Sequence, residues 1–177
     1  AGRFRLHLYE HSGGITGILR AISDKACELG SLGLPPQIAS VCRIDQGLVL
    51  AYGFNHAQAI AAFTEATKLD PRCAMAWWGI ALAHGPNINF PMDSTSERPA
   101  WEALQAALAL APAVSEAEQA YIGALAKRYA DPDGPKRPGR VAMDSAYASA
   151  MRQVWTRFPA DADAGALFAE ALMDLNP

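Results

Sequence analysis

The stretch AIAAFTEATKLDP, residues 59–71, decides the fold. Ala59, Phe63 and Ala66 recur at helical spacing, and Pro71 closes the segment because a helix cannot extend through it. The same spacing occurs three times. Ala59-x3-Phe63-x7-Pro71 is matched by Ala100-x3-Leu104-x7-Pro112 and by Tyr147-x3-Met151-x7-Pro159. Each copy reads as the second half of a helix-turn-helix unit. Such units stack, because none can bury its apolar face alone. The expected fold is therefore all-α, a stack of antiparallel helix pairs over residues 40–177, with about three and a half units.

Small residues at Gly47, Ala59, Ala66, Ala81, Ala100 and Ala107 let paired helices approach closely, while Phe63 and Leu104 fill the space between units. The units are not uniform. Residues 85–93, GPNINFPMD, are inserted between the helices of the second unit, and the polar, proline-rich DPDGPKRPG, residues 131–139, lies between those of the third. Both insertions project from the same edge of the stack. A last helix over residues 163–175 has no following partner. Its apolar face would stay open, which leads to the expectation that the chain is part of a longer protein and self-associates through this helix.

Residues 1–39 read differently, punctuated by Ser12-Gly13-Gly14, Gly30-Ser31-Leu32-Gly33 and Pro35-Pro36. Ile15, Ile18, Leu19, Ile22, Ala26 and Leu29 fit one helix face, so residues 15–29 are expected to form an appended or capping helix started by Ser12. The length, 177 residues, suits one main domain, and 51% hydrophobic against 19% charged residues allows a large core. A net charge of −3 argues against nucleic acid, and no apolar run approaches a membrane span. Cys27, Cys42 and Cys73 form no close pair. That favours a reducing, cytoplasmic setting and leaves the periplasm open.

From residue 42 on, the chain resembles the tetratricopeptide-repeat family. The consensus W-x2-L-G-x2-Y, A-x3-F, P is met by Gln46-Gly47-x2-Leu50, Ala59-x3-Phe63 and Pro71, then by Trp77-x2-Ile80-Ala81-x2-His84, Ala100-x3-Leu104 and Pro112. Tyr52-Gly53-Phe54-Asn55-His56-Ala57, Asp70-Pro71-Arg72-Cys73-Ala74-Met75-Ala76-Trp77-Trp78-Gly79 and Gly85-Pro86-Asn87-Ile88-Asn89 are similar to a bacterial group within it. The resemblance implies a right-handed superhelical α-solenoid and, as the superfamily's usual role, protein or peptide binding. It implies no reaction and no cofactor.

On that register the inner face carries Ile44, Leu48 and Tyr52 from the first unit and Met75, Trp78 and Leu82 from the second. Relatives that grip a chaperone's C-terminal carboxylate place Lys, Asn and Arg there, and this chain has none. An apolar groove is expected instead. Its occupant would be a partner helix or peptide, or another part of the same chain. An exposed Trp78 beside Met75 and Leu82 would be an anchor for such a partner; cover by the N-terminal helix is the other reading.

A second candidate follows from helix geometry. His56 opens the second helix of unit one and His84 ends the first helix of unit two. At 1.5 Å per residue they lie about 23 Å and about 19 Å from the intervening turn, so they share one end of the stack. Asn55, Asn87, Asn89 and Asp93 belong to that edge. The group could bind a metal or small polar ligand. Alternatively, the histidines fill space while the asparagines shape turns and cap helices. No metal-ligating spacing is present among them, and no nucleophile–base–acid set stands out. Cys42 and Cys73 read as small core residues and Trp77 as the core tryptophan. Lys127-Arg128 reads as a solvated face, and Glu65, Glu102, Glu116, Glu118 and Glu170 as solvent-facing carboxylates.

Overall fold

The structure, a computed structural model, describes residues 3–11, 14–22, 36–135 and 137–175. The chain divides into two units, Ala1–Pro35 and Pro36–Pro177. In the first, β1 (Arg3–His11) and β2 (Gly14–Ile22) form a two-stranded antiparallel hairpin, paired from Arg3 with Ile22 to His11 with Gly14. This corrects the expected helix over residues 15–29. Ile15, Leu19 and Ala21 also satisfy a two-residue period, and the adjoining Phe4, Leu6 and Leu8 alternate with Arg3, Arg5 and His7. Pairing between two such segments, joined by only two residues, outweighs a helix face shared by a few isoleucines. The remainder of that expected helix, and Ser12, lie outside the described residues.

The second unit is all-α among the described residues. Its helices are α1 (Pro36–Tyr52), α2 (His56–Leu69), α3 (Ala74–Ala83), α4 (Ser94–Leu110), α5 (Glu116–Leu125), α6 (Arg140–Arg157) and α7 (Ala162–Met173), with a 3-10 turn at Ala111–Ala113 after α4. Each helix packs on the next in sequence, and α1 on α3 and α3 on α5 also touch. The start signals are local. Asp93 caps α4 by accepting from Thr95 and Ser96 N–H, Ser115 and Glu118 form a capping box at α5, and Asp161 caps α7.

The core begins where the deciding stretch said it would. Ala59, Phe63 and Ala66 are fully buried on α2, as are Ala100, Leu104 and Ala107 on α4 and Met151 on α6. The Phe63 ring is pressed between two glycines. A Cβ built at Gly47 would come within 2.6 Å of it, and one at Gly79 would collide with it from α3. Only residues without a side chain let α1 and α3 close on that ring.

Trp77 does not take the core position expected of it, and Trp78, for which burial was one of two readings, is buried. Trp78 is 2% exposed in the core, whereas Trp77 is half-buried and donates its indole N–H to the Pro71 carbonyl at 3.0 Å. Cys42 is exposed and Cys73 half-buried, so neither is a core residue. The apolar face of α7 is not wholly open. Ala164, Leu167 and Ala171 are buried, and Phe168 stacks on Trp155 with ring centroids 5.7 Å apart.

Candidate functional site

Four of the expected inner-face residues meet. Leu48 and Tyr52 of α1 and Met75 and Trp78 of α3 line one cleft of about 80 Å³ together with Tyr121, Asp161, Asp163 and Leu167. Ile44 packs half-buried against the core, and Leu82 is buried beside His56. The cleft is already partly filled, because α7 runs into it. Leu167 is 1% exposed; the Tyr52 hydroxyl donates to Asp163 and the Tyr121 hydroxyl to Asp161, both at 2.8 Å. Burial first, and then the neighbouring carboxylates, push both phenols well above their ordinary range, so they remain donors. Trp78 meets Tyr121 edge to face at 5.7 Å. It is therefore a buried residue, and of the two readings for it the exposed anchor does not hold.

The histidine edge resolves differently. His56 is half-buried with both ring nitrogens enclosed, beside a small void lined also by Tyr52, Ala83, Pro86 and Glu170. Burial lowers its pKa against the opposing pull of the Ala83 carbonyl and Asp174, which favours neutral imidazole. His84 follows α3 as its C-cap, also half-buried and also shifted downward by burial, with Asp93 pulling the other way. Asp93 is occupied with capping α4. Asn87 builds the loop's turn: its side-chain oxygen accepts from Asn89 and Phe90 N–H, and its backbone pairs with Phe90. Asn55 bonds back to the Gly53 carbonyl at 3.2 Å. Among the described residues, no three His, Cys, Asp or Glu side chains are placed to hold a metal ion.

What dominates this edge was missed at the sequence level. Arg128, expected at a solvated face, is 1% exposed. It donates to Asp144 at 3.4 Å, to the Pro86 carbonyl at 3.1 Å and to Asp174, and its guanidinium lies 4.6 Å from the centre of the Tyr147 ring. Arg140 grips Asp144 at 3.0 Å and reaches the Arg128 carbonyl. Tyr129 donates to the Ala81 carbonyl at 2.6 Å, an approach that needs Gly85 bare, since a Cβ there would stand 2.7 Å from the hydroxyl. Glu170, expected in solvent, is half-buried; burial raises its pKa, and that of Asp174 too. The only clue in sequence was a charged pair, Lys127-Arg128, at the end of an apolar helix.

The inserted loop is held over this network. Pro86 is tied down by Arg128, and Met92 lies 3.5 Å from an Arg140 nitrogen. The second insertion is pinned to the start of α4 by Arg98–Asp133 and Arg137–Glu97 ion pairs. Between the first loop, the start of α6 and the end of α7 lies a cleft of about 400 Å³. It is lined by residues 86–92 with Arg140, Val141, Asp144, Asp174 and Leu175. Asn87 and Asn89 reach this cleft, while His56, His84 and Asp93 do not line it. No protein-family model, curated protein or solved structure matches the chain.

Proposed function

We propose that this chain is an interaction scaffold of the tetratricopeptide-like kind, which holds an amphipathic helix against the inner face formed by Leu48, Tyr52, Met75 and Trp78. What supports the reading is the seat of α7. A helix carrying two carboxylates at its start and a leucine one turn on is received there by two tyrosine hydroxyls and an apolar cleft. A partner helix with the same features would use the same contacts in place of, or beside, the chain's own.

The test is a peptide covering residues 160–175, titrated into the full chain carrying Leu167→Ala so that its own α7 is held less firmly. Saturable binding, followed by isothermal titration calorimetry, is expected. Met75→Glu in that background should abolish it while circular dichroism stays helical. A folded Leu167→Ala chain that ignores the peptide would refute the proposal.

A further inference from the structure

We infer that the 400 Å³ cleft beneath the inserted loop is a separate binding site, for a small organic cation: an ammonium group on an apolar body. It does not depend on the inner face acting as a helix receptor, because it shares no lining residue with that cleft. Its size falls within the range of small-molecule sites, and its walls come from three segments distant in sequence.

The hydrogen-bond account selects the ligand. Arg128 and Arg140 are engaged with Asp144 and Asp174. Asp174 lines the cleft; its side chain is 2% exposed, and one oxygen, having no partner, is a buried acceptor in want of a donor. Pro86 borders both the cleft and the void beside His56 and Glu170, so the polar end of a ligand belongs at the Pro86–Asp174 end. The C-terminus of α7 meets the cleft there, with the negative end of its dipole. An ammonium supplies three donors to the Asp174 acceptor, whereas a carboxylate would set further acceptors against it.

The other end of the cleft is apolar. Ile88, Met92 and Leu175 form its walls, and Phe90 and Val141 stand 72% and 75% exposed beside it. Burying two such side chains against a ligand is a gain that a purely polar ligand would forgo.

Isothermal titration calorimetry of the full chain with phenethylammonium chloride and, separately, with sodium 3-phenylpropanoate tests the inference. The ammonium should bind at one site, at least about tenfold more tightly than the anion, a difference of ~1.4 kcal/mol. Val141→Trp fills the rim from a position in none of the ion pairs, and should weaken ammonium binding at least about tenfold without changing the melting temperature. Asp174→Asn replaces the unpartnered carboxylate oxygen's charge with a neutral amide and should weaken it by about the same factor. Equal binding of the two probes, binding indifferent to either substitution, or no saturable binding of the ammonium would each overturn the inference.

Discussion

Replacing Gly79 with alanine tests how the first three helices are locked. On an exposed helix the change would stabilise, since alanine is favoured over glycine by about 1 kcal/mol. At Gly79 the new methyl would land on the Phe63 ring. That ring is fully buried and cannot retreat, because Gly47 on α1 lies against it with no more than 2.6 Å to spare for a Cβ. Overpacking of this kind costs roughly 1–3 kcal/mol, and a ring blocked by backbone on two sides belongs at the upper end. Setting about 3 kcal/mol of strain against about 1 kcal/mol of propensity gives a net loss of about 2 kcal/mol. Urea unfolding followed by far-UV circular dichroism measures it. The double variant with Phe63→Leu should recover part of the loss, and the two costs should fail to add by more than ~0.5 kcal/mol. If Gly79→Ala raises stability, the ring does not sit between these helices and the packing described for α1, α2 and α3 is wrong.

Phe63→Ala empties the same space and should cost about 3–5 kcal/mol in the same assay. Arg128→Met strands Asp174 without its cation and leaves Asp144 to Arg140 alone; a loss of about 3–5 kcal/mol in chemical unfolding is expected, and a neutral result would mean that the guanidinium is dispensable. Ser115→Ala removes half of a capping box and should lower stability by ~1 kcal/mol. His56 and His84 both have pKa values held below 6.5 by burial, so the unfolded chain binds their protons more readily. Their contribution to stability is complete above pH 6.5 and is lost as the pH falls below it; the raised Glu170 and Asp174 act in the opposite sense. Melting temperatures of the wild type should therefore drop from pH 7 towards pH 5.5, and His56→Gln with His84→Gln should flatten that drop.

The helices of the second unit were legible because their evidence is local. Spacing places Ala59, Phe63 and Ala66 on one stripe, and Pro71 marks where that stripe ends. The facing of α3 was not legible. AMAWWGIALA contains no polar residue, so nothing in it marks an outside, and neighbouring tryptophans stand about 100° apart on the helix. Eight of its ten residues turn out to be buried, which leaves Trp77, with its indole on the Pro71 carbonyl, as one of two positions with partial exposure. The hairpin was misread because Ile15, Ile18, Leu19 and Ile22 fit one helix face, while Ile15, Leu19 and Ala21 fit the two-residue period of a strand as well. The Arg128 network escaped for another reason. Its partners lie 16, 42 and 46 residues away, beyond the reach of any pattern read along the chain. The edge carrying Asn87 and Asn89 was located from helix lengths alone, but which side chains meet there depends on α6 and α7 returning to it.

Helices that touch only their neighbours in sequence can come apart one at a time, with the last one fraying first. Arg128 denies α7 that freedom. Lifting α7 away would remove Asp174 from a guanidinium already sealed from water, and the same guanidinium holds Pro86 and Asp144. The terminal helix, the loop after α3 and the start of α6 are thereby tied to a single residue. They should open together or not at all, so that the amides of α7 exchange with solvent as slowly as those of the helices it closes over.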